Sequence, residues 1–431
     1  MTQRVLTGIT TTGTPHLGNY VGAIRPAIEA SRQPGVESFF FLADYHALIK
    51  CDEPARIERS RLEIAATWLA AGLDTERVTF YRQSDVVEIP ELTWLLTCVA
   101  SKGLMNRAHA YKAAADANLA AGDDVDAGIT MGLFSYPILM AADILMFNAH
   151  RVPVGRDQAQ HIEMARDIAQ RFNHLFGAGR DWFVLPEAQI DERVATLPGL
   201  DGRKMSKSYD NSVPLFAGGA KGLRDAIARV VTDSRAPGEA KDPDSSHLVA
   251  IYEAFADPAE RAALRAELRD GLGWGEAKTR VVERIERDIA PLRDRYATLI
   301  AHPERVEETL LEGARKARAV AAPFLAELRG AVGLRRMVAV AAPVVADTKA
   351  KNVLASFKQY READGKFYFK LAAADGRVLL QSAGFESGRD AGHWVARLKN
   401  DGAAALAGAP VVLGEGIEAA EAASALAALA P

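Results

Sequence analysis

Cysteine is nearly missing from this chain: its 431 residues hold two, Cys51 and Cys98, and neither belongs to a CxxC pair. That argues against a disulfide scaffold and against a cysteine-rich metal site. Also missing is any apolar run near the roughly 20 uninterrupted residues of a spanning helix. The threonine-rich start MTQRVLTGITTTG has no basic segment followed by an apolar stretch, so it does not read as a signal peptide. The expected location is the cytoplasm, with no membrane partner. An excess of one charge is absent too. A formal net charge of -4 gives no uniformly basic, DNA-coating surface, so any contact with nucleic acid has to come from local patches. No repeat of solenoid spacing occurs.

What is present is the composition of a globular protein, with 49% hydrophobic and 25% charged residues, in a chain long enough for two or three domains. In the first half short apolar runs alternate with helical patterns. Val5–Leu6, Ser38–Leu42, Val78–Tyr81 and Val152–Val154 read as strands, and Pro54–Leu73 and Glu91–Tyr111 as helices. This alternation predicts an α/β domain built on a parallel sheet over residues 1–214, with ligands at the carboxyl ends of the strands. Residues 215–336 read as helical: Pro258–Leu272, Gly275–Ile300 and Pro303–Leu328 have helical period and few strand candidates. An Ala/Val/Pro-rich stretch marks a linker at 337–350. In 351–431, Phe357–Arg361, Lys366–Leu371 and Arg377–Gln381 read as strands joined at Asp364-Gly365 and Asp375-Gly376, with a helix over Asp390–Leu398. Asp-Gly between alternating runs is a hairpin signal, so this third part is a small α+β module.

Two segments carry phosphate chemistry. Thr7–Tyr20 (TGITTTGTPHLGNY) follows the first strand; Thr14 suits a helix N-cap and Pro15 the first helical position. Free N–H groups at such a turn can hold an anion, His16 and Asn19 project from one face, and Gly18 leaves room for a nucleotide. The bland alternative is a capped helix with an incidental histidine. The second segment is Lys204-Met205-Ser206-Lys207-Ser208, flanked by Gly199, Gly202, Asp210 and Asn211. Two lysines on a glycine-flanked loop can offset charge developing on a polyphosphate. Alone it would be a solvated basic turn.

The pair is specific where the single motifs are not. His16-Leu17-Gly18-Asn19 resembles the HIGH signature of class I aminoacyl-tRNA synthetases, and Lys204–Ser208 is identical to their KMSKS loop. The resemblance runs from Met1 to about Leu334 and implies a Rossmann-like catalytic domain followed by a helical, anticodon-reading domain. Within that class, Tyr136-Pro137-Ile138-Leu139-Met140-Ala141-Ala142-Asp143 is similar to the tryptophanyl enzymes. Pro137 suits a helix start, and Tyr136, Met140 and Asp143 then share one face. A buried aspartate needs a donor, and an indole N–H is one; an Arg or a backbone amide would serve equally. Tyrosyl relatives carry Gln where Met140 stands, and an apolar, adaptable side chain suits an indole face.

The resemblance implies further roles. Tryptophan would contact Leu6, Gly8, His46, Tyr136, Met140, Asp143 and Gln158. ATP would contact Thr10, Thr12, Gly13, His16, Gly18, Asn19 and Lys112, then Gly155 and Asp157 at the ribose, and Lys204, Met205, Ser206, Lys207 and Ser208. His16, Asn19, Lys204 and Lys207 would stabilise the transition state. Departures from the family pattern are Thr10-Thr11 where a Gln-Pro is common, Leu6 for an aromatic, and Ala114 for a lysine. The implied partners are tRNA(Trp), L-tryptophan, ATP with its Mg2+, and a second copy in a homodimer; no protein-held metal is implied. Arg315, Lys316 and Arg318 are candidates for RNA-backbone contacts. The last module resembles small ββα modules that occur as stand-alone bacterial proteins, and its aromatics suggest base stacking or core packing. Competing readings are a tyrosine-specific synthetase and a non-catalytic paralogue that senses amino acid or binds RNA.

Overall fold

The computed structural model describes residues 2–11, 13–190, 197–334 and 355–429. The chain divides into two compact units, Met1–Arg336 and Met337–Pro431; the linker assigned to 337–350 lies outside the described residues.

In the first unit five parallel strands run in the order β3-β2-β1-β4-β5: β1 Gln3–Thr10, β2 Val36–Ala43, β3 Val78–Arg82, β4 Arg151–Pro153 and β5 Glu187–Gln189. Phe39 to Leu42 of β2 are all buried, as befits a strand covered on both faces. The chain moves outward from β1 to β3 and then returns to place β4 on the other side of β1. That reversal opens a crevice at the carboxyl ends of β1 and β4, where sheets of this kind hold ligands. β4 falls one residue earlier than its apolar run suggested. β5 was missed because its three residues are all exposed and form no apolar run.

Two expected helices differ. The helix placed at Pro137 starts at Met131, where the Thr130 side chain accepts the Leu133 N–H, and Pro137 lies inside it. The proline withholds the N–H that the Leu133 carbonyl would otherwise accept. The run read as Glu91–Tyr111 is three helices, Glu88–Thr97, Lys102–Met105 and His109–Ala121. Ser101, in an extended conformation, captures the Leu104 N–H and so interrupts the first.

Residues beyond 214 form the helices Gly219–Ala228, His247–Glu253, Pro258–Arg269, Trp274–Ala301 and Pro303–Ala331. Their apolar stripes share a core with the sheet: Val281, Ile285 and Ile289 cluster with Ile9, Phe40 and Phe80. The last helix is braced against β3, for a Cβ on Gly313 would overlap the Phe80 carbonyl. Arg82 holds Glu307 through two bonds of 2.8 Å. Lys316 donates to the Thr75 carbonyl at 2.9 Å and Arg318 to Glu88 at 3.0 Å, while Arg315 pairs with Glu312 on its own helix. The three cations considered for RNA are therefore engaged within the chain, two of them with the segments before and after β3.

The second unit is an antiparallel sheet, β6-β7-β8-β9: Ser356–Arg361, Phe367–Ala372, Val378–Ser382 and Val411–Leu413. Gly365 and Gly376 take φ of +82° and +88°, the left-handed conformation that Asp-Gly turns require. Helices Gly388–Asp401 and Ala419–Ala427 contribute Ala391, Leu398, Ala422 and Leu426 to a core with Phe369, Leu371 and Leu380. Among the described residues no helix is long and apolar enough to cross a membrane.

Candidate active site

The turn after β1 is held by its neighbours before it becomes helical. Gly13, at φ +72°, donates its N–H to Ser60 Oγ at 3.1 Å, and the Thr14 hydroxyl donates to Glu63 at 2.7 Å. With Thr14 engaged there, the chain stays extended and the N-cap is His16, not Thr14. His16 Nδ1 accepts the Asn19 N–H at 3.2 Å while Asn19 Oδ1 accepts the His16 N–H at 3.0 Å. This is a reciprocal capping box, and it decides which atoms remain available. With Nδ1 accepting, the imidazole proton resides on Nε2; with Oδ1 occupied, Asn19 keeps its Nδ2 donors. Burial, and then the charge of Lys207, lowers the His16 pKa from 6.5 to about 4. The ring is a neutral donor at physiological pH. Thr10 is exposed at the strand end, and Thr12 lies outside the described residues.

The lysine loop folds onto this turn. Leu17 donates to the Val213 carbonyl at 2.9 Å, His16 bridges to Pro214, and the Gly18 N–H meets Met205 Sδ at 3.3 Å. A Cβ on Gly18 would come within 3.1 Å of the His16 ring and 3.2 Å of Met205 Sδ. The space at Gly18, expected to admit a nucleotide, is thus filled by the histidine and the buried Met205. The Lys207 ammonium lies 3.0 Å from where a Gly13 Cβ would be. Although the side chain is exposed as a whole, burial of that end lowers its pKa. Asn211 sets the loop's shape: its Oδ1 accepts from the Ser206 N–H at 2.8 Å, and its Nδ2 donates to Asp201 at 2.6 Å and the Lys204 carbonyl at 3.2 Å. Ser206 Oγ accepts the Ser208 N–H at 3.2 Å, and Lys204 stands exposed.

The second cluster lies at the carboxyl ends of β2 and β3. Asp143 is 0% exposed. Gln83 Nε2 donates to its two oxygens at 2.8 and 2.9 Å, and His46 Nε2 lies 3.0 Å from Oδ2. A carboxylate only accepts, so the His46 nitrogen facing it carries the proton. Burial raises the Asp143 pKa, opposed by the bonds from His46 and Gln83. Gln83 is itself fully buried, and its Oε1 accepts the Tyr45 N–H at 3.1 Å. Sequence reasoning missed it, since its only mark is that it directly follows an apolar strand. Nearby, Asp44 accepts from the Ser84 N–H at 3.0 Å and hydroxyl at 2.6 Å and pairs with Arg61 at 3.3 Å, tying the end of β2 to the end of β3. The Thr11 hydroxyl reaches the Ala43 carbonyl at 3.4 Å, so the β1 turn adjoins the end of β2.

Tyr136 stands edge-on to His46 with centroids 6.3 Å apart, and its hydroxyl lies 2.5 Å from His161 Nε2. Tyr136 and Met140 are half-buried. Leu6 is buried in the core with Phe41 and Tyr81, while Gly8 is open, a Cβ there meeting the Phe41 ring at 3.1 Å. After β4, Gly155 begins the short turn Arg156–Gln158 and accepts the Gln158 N–H at 2.9 Å; the Asp157 side chain lies outside the described residues. Lys112 is exposed on the helix His109–Ala121, with no ion pair among the described residues.

A capped turn behind the first strand of a reversed parallel sheet, closed by a KMSKS loop, is how class I aminoacyl-tRNA synthetases build their catalytic domain, and the chain has that architecture. The family model described as tRNA synthetases class I (W and Y) matches residues 2–287. A tryptophan–tRNA ligase of Pseudomonas putida is 64% identical over 404 residues, 94% of this chain and 90% of that protein. One from Pseudomonas syringae is 66% identical over 91% of this chain and 87% of its own length. The crystal structure of tryptophanyl-tRNA synthetase from Campylobacter jejuni complexed with ADP and tryptophan superposes with a TM-score of 0.71 at 38% identity, over 77% of this chain and 100% of that one. The chain belongs to this class I family, in its tryptophan–tRNA ligase branch. A match over 94% of the chain runs past the first unit into the second, so the Pseudomonas relative shares sequence with the small module.

Proposed function

We propose that the chain activates L-tryptophan with ATP and transfers it to tRNA(Trp). The observation that carries this reading is the closure of the Lys204–Ser208 loop on the His16 turn after β1. That turn adjoins the end of β2, and His46, which bonds the buried Asp143, follows that strand. The tryptophan carboxylate attacks the α-phosphorus of Mg·ATP and pyrophosphate leaves; the terminal ribose hydroxyl of tRNA then attacks the acyl carbonyl of the adenylate, and AMP leaves as the acyl–phosphate bond breaks. A carboxylate needs no activation as a nucleophile, so positioning and charge stabilisation supply the rate.

In this reading the neutral His16 offers Nε2–H and Asn19 offers Nδ2–H to the phosphates, while Lys204 and Lys207 neutralise charge growing on the departing pyrophosphate. Thr10, Thr12, Gly13, Met205, Ser206, Ser208 and Lys112 complete the triphosphate site, with Gly155 and Asp157 at the ribose. Mg2+ arrives with ATP as part of the substrate. Asp143, oriented by Gln83, accepts the indole N–H. A site built to pair that group rejects ligands lacking it, because the carboxylate would be left without its partner. Leu6, Gly8, Tyr136 and Met140 line the ring; His46 and Gln158 face the carboxylate and the amino group. The reading puts the chain in the cytoplasm, where translation draws on charged tRNA. It also makes the chain a homodimer, for which exposed Leu48, Val87, Trp94 and Met131 supply apolar surface for a second copy.

The test is amino-acid-dependent pyrophosphate exchange with each of the standard amino acids. Tryptophan alone should support exchange. Exchange with tyrosine would establish the tyrosine-specific alternative, and none at all a non-catalytic paralogue.

A further inference from the structure

In the second unit the helices cover one face of the sheet, the face onto which Phe369, Leu371 and Leu380 point. Alternation along the strands sends their neighbours to the other face. There the register sets Lys358 directly opposite Lys370, Tyr360 opposite Tyr368, and Gln381 beside Lys370. The tyrosine rings stack with centroids 5.8 Å apart and planes 19° apart, and the Lys370 ammonium lies 5.5 Å from the Tyr360 ring centre.

Folding of the unit does not account for the opposed lysines. Like charges directly opposed across an antiparallel ladder destabilise it. Lys358 and Lys370 nevertheless have no ion pair among the described residues, whereas Lys366 pairs with Glu386 and Arg377 with Asp375 and Glu421. The tyrosines stack on each other and the Tyr368 hydroxyl donates to Asp364 at 2.6 Å, yet both rings are only half-buried, on the side of the sheet away from the unit's core. An anion between the lysines would turn their repulsion into attraction. Flat rings would cover the tyrosines. One ligand class supplies both, a chain of phosphates carrying unpaired bases.

We propose that this face binds single-stranded RNA, its phosphates between Lys358 and Lys370 and its bases against Tyr360 and Tyr368. Aromatics on an open antiparallel sheet are a general platform for unpaired bases, whereas the narrow, deep major groove of duplex RNA admits no such contact. Gln381 adds a donor and an acceptor for a base edge. Beside it, a cavity of about 420 Å³ lined by Val378, Gln381 and Val412 has space for a further base. The inference does not rest on aminoacylation, and its test is separate from that activity.

The experiment is fluorescence anisotropy of the full chain with a labelled single-stranded RNA of about twelve nucleotides, across a salt series, beside a duplex of the same sequence. Lys358→Gln with Lys370→Gln should weaken binding about tenfold and flatten the salt dependence, because phosphate contacts set that slope. Tyr360→Leu with Tyr368→Leu should weaken binding about tenfold at unchanged slope. Both variants should keep full pyrophosphate exchange and a cooperative heat-unfolding transition of the second unit, that of the lysine variant no lower than the parent's. Unchanged affinity in either double variant would overturn the proposal, as would equal binding of the duplex. Loss with the lysine pair but not the tyrosine pair would also overturn it, reducing the face to a site for any polyanion.

Discussion

The two ends of the crevice are built on different physical plans. At the end proposed for phosphate, His16 and Asn19 satisfy each other's backbone, which leaves Nε2–H and Nδ2–H outside the capping box, and the lysines ride on a loop shaped by Asn211. At the amino-acid end one buried carboxylate is held by His46 and Gln83, which arrive from the ends of different strands. At the first end the dependence is local, confined to the His16–Asn19 capping box and the loop held by Asn211. The second is mutually dependent, so each substitution strands a buried donor or acceptor and touches stability as well as binding.

The sharpest way to break this contrast is to delete charge at the phosphate end. Lys204→Ala combined with Lys207→Ala should lower the rate of adenylate formation about a thousandfold, with tryptophan affinity by calorimetry and the melting temperature unchanged. A fall in tryptophan affinity would merge the two ends. Next comes Asp143→Ala, which leaves Gln83 and His46 donors unpaired. Tryptophan binding should weaken about a hundredfold, and the fold should lose about 2 kcal/mol in denaturant melts, with ATP affinity preserved. Gln83→Leu should raise the tryptophan KM about tenfold and leave the ATP KM alone, because it removes the donor that orients Asp143. An equal effect on both substrates would make Gln83 merely structural.

The smallest effect concerns pH. His16 should titrate near 4 in the folded chain against 6.5 when unperturbed. Between those values the unfolded chain binds the extra proton and the folded chain does not, so this group's contribution to stability is present above pH 6.5 and is lost as pH falls through 4. An NMR titration of the His16 imidazole checks this, and a midpoint near 6.5 would show that burial and the Lys207 charge do not hold the ring neutral.

The same contrast governs how much could be read in advance. The pairing of the His16 turn with the lysine loop was legible because its residues sit in two contiguous segments, His16–Asn19 and Lys204–Ser208. What those letters did not reveal was that Thr14 is drawn off by Glu63, which passes the cap to His16, and that Met205 fills the space at Gly18. In the second cluster Asp143 was legible as a charged residue on an apolar helix, and His46 and Tyr136 came only through the family resemblance. Gln83 lies far from it in the chain and has no local signature. Likewise β5 and the brace formed by Arg82, Glu307 and Arg318 depend on tertiary contacts that no periodicity encodes. The hairpins of the second unit, by contrast, were plain in their Asp-Gly turns, since a positive φ at Gly365 and Gly376 is a local demand.

A crystal structure of the chain with a non-hydrolysable tryptophanyl-adenylate analogue addresses the account most directly. The indole nitrogen should lie within hydrogen-bond reach, about 3 Å, of the Asp143 carboxylate, with the phosphate analogue at the same distance from His16 Nε2 or the Asn19 amide. An analogue bound with its indole turned away from Asp143, or with its phosphate outside the crevice closed by Lys207, would contradict the account.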